Sequence, residues 1–154
     1  PRSTLSSSSA ASDVYKRQTT GRPRRCGWFD AVVVRQSARL SGMTGLVITK
    51  LDVLDGIDPI RICVGYECGG RRFDLVPSGL RELEGCQPVY EDHPGWSRPT
   101  AGCREWDDLP AKARNYIRRI EDLTGVRVAA VSTGQERSEH IELFDPFQVV
   151  VPGK

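Results

Sequence analysis

The sequence predicts an α/β fold with a mixed sheet, and three observations predict it. Apolar residues Leu109, Ala113, Tyr116, Ile117, Ile120 and Leu123 recur at three- and four-residue steps, marking one face of a helix. Residues 46–49 and 126–131 are short, apolar, β-branched runs of the kind that form buried strands. Residues 60–67 alternate in part and are followed by Gly69-Gly70, a hairpin signal. The order helix, strand, hairpin, helix, strand then describes a sheet with flanking helices and an antiparallel hairpin excursion.

The elements follow in order. Asp30 offers an N-cap for a helix running to about Leu40, with Gly42 closing it. A strand occupies 46–49, and Lys50-Leu51-Asp52 is its polar exit. The strand 60–67 returns through 71–76, and 89–92 forms another short strand. Residues 93–102 hold two prolines and two glycines and read as a loop. Asp107 or Asp108 caps the next helix, Pro110 lies in its first turn and Gly125 ends it. The strand 126–131 exits through Ser132-Thr133-Gly134, and 140–144 forms a last strand.

Composition excludes several classes. The 154 residues are 38% hydrophobic and 27% charged, which is enough apolar material for a core. The formal net charge is only +2, which argues against a nucleic-acid coat or a polybasic membrane arm. No apolar run reaches the roughly 20 residues of a membrane helix. Five cysteines without a CxxC pair fit ordinary reduced thiols better than a disulfide scaffold or a zinc site. Residues 1–18, PRSTLSSSSAASDVYKRQ, are Ser-rich and aperiodic. They read either as a flexible tail or, from DVYKRQ, as a translated sequencing-library adaptor joined to a truncated gene. They carry three basic side chains and one acidic one, so the remaining 136 residues are formally neutral.

Two strand exits hold the candidate chemistry. In open α/β sheets, ligands bind beyond the carboxyl ends of strands. An ionised Asp52 would accept two parallel hydrogen bonds from N1–H and the amino group of guanine. Adenine offers neither donor there, so a buried Asp52 would reject it. The stem of Lys50 would cover one face of the base. A Ser132-Thr133-Gly134 turn would present N–H groups to the guanine O6. Taken singly, each motif reads better as a plain turn with solvated polar groups. The third element is TTGRPRR at 19–25. Thr19 and Thr20 bring hydroxyls, Gly21 permits close approach, and the planar forks of Arg22 and Arg24 suit an anionic ligand.

TTGRPRRCGWFDAVVVR, TGLVITKLDVLDGI, ICVGYE, HPGW, ARNYIRRIEDLTGV and STGQER follow one another in this chain. Over residues 19–147 the order resembles the C-terminal part of adenylosuccinate synthetase. The resemblance implies the C-terminal portion of a P-loop-GTPase-like mixed sheet over residues 19–148, with a tail at 149–154. It also implies a ligase of AMP biosynthesis that joins IMP to L-aspartate at the expense of GTP. Mg²⁺ as cofactor, a homodimer and a cytoplasmic location come with it.

Carried over by motif, Thr19, Thr20, Gly21, Arg22 and Arg24 would serve aspartate and IMP, with Arg24 close to the GTP phosphates. Lys50, Leu51, Asp52, Ser132, Thr133 and Gly134 would hold GTP through its guanine. Tyr116, Ile117 and Ile120 would be packing residues. Gln135 departs from the Pro common in the family after STG. The family's Gly-rich phosphate loop, catalytic Asp and His and Mg²⁺ ligands belong to its N-terminal part, so the resemblance implies no catalytic or metal residue here. His93 and His140 do not match the catalytic His motif. Two other classes compete: a guanine-nucleotide-binding module without chemistry, and an RNA-binding protein using Arg22, Arg24 and Arg25.

Overall fold

The computed structural model describes residues 27–77, 85–134, 136 and 138–147. The TTGRPRR loop, the tail 1–18, Cys26, Gln135 and residues 149–154 lie outside that set. The chain is α/β, with two sheets and two helices among the described residues.

Strand β1 (Phe29–Asp30) leads straight into helix α1 (Ala31–Ser41). The Asp30 carboxylate accepts from the Val32 and Val33 N–H groups at 3.0 Å, satisfying two of the donors that a helix start leaves open. Its second oxygen accepts from the Tyr66 hydroxyl, tying the helix start to the sheet. Gly42 ends the helix in the left-handed region, as the sequence predicts.

β2 (Leu46–Ile48) is followed by a 3₁₀ turn, Leu51–Leu54. β3 (Ile60–Cys68) is the longest strand and organises the first sheet. β1 runs parallel to it at Ile62 and Cys63, while β4 (Arg71–Phe73) returns antiparallel at its far end. β5 (Gln87–His93) pairs antiparallel along nearly all of it. The hairpin is therefore present, with a shorter return than 71–76 and a longer β5 than 89–92.

Helix α2 (Ala111–Thr124) starts later than the acidic residues before it suggest. Asp107 and Asp108 belong to a separate 3₁₀ turn, Trp106–Asp108, closed by a reciprocal bond pattern between Glu105 and Asp108. Pro110, whose fixed φ suits a helix start, takes the cap position itself. Strand β6 (Val128–Ser132) also begins two residues late, because the Glu121 side chain accepts from the Val128 N–H at 2.7 Å and sets the strand's entry. β7 (His140–Glu142) completes the second sheet, ordered β2-β6-β7.

The apolar face of α2 is fully used. Leu109, Ala113, Ile117 and Ile120 are at most 1% exposed, and they join Leu51, Ile60, Ile62, Val128 and Val131 in one core. Burying each of the Leu, Ile and Val side chains contributes about 2 kcal/mol. α2 is also pinned to β5, where Arg119 grips Glu91 through two parallel bonds of 2.8 and 2.7 Å.

One expectation fails. Cys68 and Cys86 form a disulfide, with Cα atoms 4.4 Å apart. The β3–β5 register explains it. Glu67 faces Gln87, so Cys68 and Cys86 occupy the next cross-strand pair, a spacing within disulfide reach. Spacing along the chain carried no trace of this. Cys63 and Cys103 are buried free thiols.

Candidate functional site

The two exit loops belong to neighbouring strands. β2 and β6 run parallel, with Ile48 beside Val131, so both chains leave the sheet at the same edge. Lys50–Asp52 and Ser132–Gly134 are thereby brought to one end of the sheet, although most of the chain separates them in sequence.

Lys50 has φ of +62°, and it is the only non-glycine residue in the left-handed region among those described. A lysine there carries about 1–2 kcal/mol of strain, and such strain persists where the surroundings hold it in place. The bend turns the chain into the 3₁₀ turn that carries Asp52. Leu51 is 1% exposed and packs into the core, so its side chain anchors the loop and offers a ligand nothing but backbone.

Asp52 is the unusual group. Its Oδ1 is buried from solvent and accepts no hydrogen bond from any described residue. A buried acceptor in that state costs roughly 1–3 kcal/mol. Burial is the main reason its carboxyl is raised above the ordinary aspartate value. The negative charges of Asp55 and Glu139 add to the rise, while backbone bonding and Lys50 oppose it. The influence of Glu139 comes from the other loop.

On that side, the Ser132 hydroxyl donates to the Gly134 carbonyl at 2.8 Å, closing a tight turn. Thr133 is fully buried. Its N–H donates to the Glu139 carbonyl at 3.0 Å, and its hydroxyl donates to the Cys103 carbonyl at 2.9 Å. Thr133 is thus an internal anchor, and its own donors are already used. A Cβ at Gly134 would meet only the carboxylate end of the Glu139 side chain, which can swing aside, and no positive φ holds glycine there. Of the aspartate-loop candidates Thr19, Thr20, Gly21, Arg22 and Arg24, none lies within the described residues.

Sequence reasoning missed the supports behind these loops. Asp55, just past the 3₁₀ turn, accepts from the Trp96 indole at 2.6 Å. It also accepts from the Thr100 N–H and hydroxyl, both at 2.8 Å. Asp58 accepts from the Gly95 N–H at 2.8 Å. The one available signal was the HPGW motif, whose compact composition marks a loop that packs closely. An open groove lined by Trp106, Arg118, Glu121 and Arg127 lies toward the other end of β6, away from both exits.

The arrangement offers a carboxylate with one buried oxygen lacking a donor, a lysine beside it and a glycine turn from the neighbouring strand exit. The family model for adenylosuccinate synthetase matches residues 14–141. The chain belongs to the adenylosuccinate synthetase family.

It is 53% identical over 129 residues to the adenylosuccinate synthetase of Polynucleobacter asymbioticus, covering 84% of this chain and 29% of that protein. It is 56% identical over 128 residues to the chloroplastic adenylosuccinate synthetase 1 of Ricinus communis, covering 83% of this chain and 29% of that one. A structure of fully ligated adenylosuccinate synthetase from Plasmodium falciparum superposes with a TM-score of 0.75 at 33% identity, over 80% of this chain and 30% of its own. This synthetase-family chain therefore spans under a third of the length of these relatives.

The raised Asp52 carboxyl makes a pH prediction. Only the ionised form accepts from two donors, so a ligand that donates twice to Asp52 should bind more weakly as pH falls through the raised value. The weakening should begin at a higher pH than an ordinary aspartate would set. The folding linkage runs the other way. The native state holds this proton more tightly than the unfolded chain, so acidification through the same range favours the ligand-free fold. Calorimetric titration of GDP across pH checks this, and a flat profile through the acidic range would contradict it.

Proposed function

We propose that the chain carries the guanine-recognition loops and the aspartate and IMP loop of an adenylosuccinate synthetase. The whole enzyme would join IMP and L-aspartate into adenylosuccinate at the expense of GTP. The observation that carries this reading is the parallel pairing of β2 with β6, which sets the donor-poor Asp52 and the Ser132–Gly134 turn at one sheet edge. Asp52 would accept from N1–H and the amino group of guanine. Lys50 would cover the base, and backbone donors of the 132–134 turn would face O6. Arg22 would serve aspartate and IMP, and Arg24 would reach the GTP phosphates, with Thr19, Thr20 and Gly21 around the amino acid.

The chemistry has two steps. The γ-phosphoryl group of GTP passes to the 6-oxygen of IMP, leaving GDP. The aspartate amine then attacks C6, and the C–O bond breaks with release of phosphate. Phosphorylation is needed because the bare oxygen is a poor leaving group. Among the described residues, no group of three or more His, Cys, Asp or Glu side chains is placed to hold a metal ion. On the family reading, the Mg²⁺ ligands belong to the N-terminal part of the whole enzyme. The chain alone is expected to bind without turnover. A homodimer and a cytoplasmic location belong to the same reading of the whole enzyme. No described helix is long and apolar enough to cross a membrane.

The test is binding and turnover measured side by side on the 154-residue chain. GDP should bind and ADP should not, and a mixture of GTP, IMP, aspartate and Mg²⁺ should yield no adenylosuccinate. Equal binding of GDP and ADP would overturn the guanine reading. Steady adenylosuccinate formation would overturn the expectation of inactivity.

A further inference from the structure

The two candidate guanine loops share a third partner, the segment from Pro94 to Cys103. Asp55 sits one residue after the 3₁₀ turn that carries Asp52, and both its oxygens are held by this segment. Oδ1 takes the Trp96 indole and the Thr100 hydroxyl, and Oδ2 takes the Thr100 N–H. At the other end of the segment, the Cys103 carbonyl accepts the Thr133 hydroxyl from the glycine turn. Thr100 and Thr133 are both fully buried, and Trp96 is 3% exposed.

The segment is itself locked. The Gly56 N–H donates to the Trp96 carbonyl at 2.9 Å, and Gly95 bonds to Asp58. Trp96 also packs against Tyr116 of α2, with ring centroids 6.0 Å apart. Its own chain is drawn tight by the Cys103 N–H, which donates to the Thr100 carbonyl at 3.1 Å.

We infer that residues 94–103 form a strap that fixes the two purine-reading loops relative to each other, with Thr100 and Thr133 as its positioning residues. Neither threonine is free to touch a ligand, because each hydroxyl is spent on a buried internal partner. Their placement matters because two-sided recognition of a flat base needs both loops at the correct separation. Misplacement of a donor or acceptor by a fraction of an ångström weakens a charge-assisted bond steeply. β2 and β6 are adjacent, yet their backbone pairing ends before the loops begin. The strap supplies the missing connection beyond the sheet edge.

The inference rests on the guanine reading above, and the experiment separates the two. GDP and IDP differ only in the amino group that Asp52 would accept from. Their affinity ratio is independent of the fraction of chain folded, so a merely stabilising role would leave it alone. Thr100→Val removes the hydroxyl bond to Asp55 and should cut the GDP-to-IDP preference by about tenfold. Thr133→Val should weaken GDP and IDP alike, by a similar factor, because both carry O6, while circular dichroism at the assay temperature reads an unchanged folded fraction. Thr100→Ser and Thr133→Ser keep the hydroxyl and should restore the parental values. Parental binding in both valine variants would overturn the strap while leaving the guanine reading intact. A parental chain that binds neither GDP nor IDP would overturn the guanine reading and the strap together.

Discussion

Asp52→Asn is expected to weaken GDP binding on the order of 100-fold without destabilising the chain. The binding loss follows from replacing a two-bond anionic acceptor by an amide that accepts once and is neutral. Hydrogen bonds to charged groups are worth about 1.5–3 kcal/mol each, so losing one and weakening the other reaches that range. The unchanged stability follows from the same atom. Oδ1 is buried without a donor among the described residues, and burial holds the carboxyl above its ordinary value. An ionised Asp52 is therefore a cost to the ligand-free fold at neutral pH, and asparagine relieves part of it. IDP binding should fall less than GDP binding, since IDP lacks one of the two donors. Isothermal titration with both nucleotides, paired with urea unfolding, checks the prediction. A variant that lost stability along with binding would mark Asp52 as a structural residue instead.

Gly95→Ala should be the most damaging single substitution in the support beneath that site. An added Cβ would lie 2.8 Å from the Ile57 carbonyl carbon and closer still to its oxygen. The obstacle is backbone, so no side chain can swing aside. Either the 93–102 loop lifts off or the 55–58 turn moves, and both routes break the Asp58–Gly95 and Asp55–Trp96 bonds. The expected loss is about 3 kcal/mol, at the upper end for forced overpacking. A thermal melt of the variant beside the parent measures it. A loss under 1 kcal/mol would mean that the loop relaxes easily and does not brace the turn.

Much of the fold was legible because its signals are local. The Asp30 cap, the Gly42 and Gly125 stops, and the face running through Ala113, Ile117 and Ile120 are each written in a few adjacent residues. The strand exits were also visible as polar triplets after apolar runs. What could not be read was tertiary. Asp55 looks like any loop aspartate, and only the folded chain places Trp96 and Thr100 around it. Nothing local marks Thr133 as a buried anchor whose hydroxyl is turned inward to the Cys103 carbonyl. The Cys68–Cys86 bond depended on strand register, and the second helix start on which acidic residue the chain chose to close its own 3₁₀ turn. The family was legible through motif order. The geometry of the candidate site came from β2 lying beside β6.

That pairing has a consequence for how occupancy and folding interact. The two halves of the proposed base site come from strands that are remote in sequence, with the hairpin and α2 lying between them along the chain. No partly folded chain containing one half can bind the base in full. A nucleotide that binds here selects the completely assembled sheet and adds RT ln(1 + [L]/Kd) to its stability, about 2.7 kcal/mol at a hundredfold excess over Kd. Such non-local closure is also slow, since the intervening chain must be ordered before the contact rewards it. On the proposed guanine reading, a bound purine would therefore latch a long-range contact of the fold as well as occupy its site.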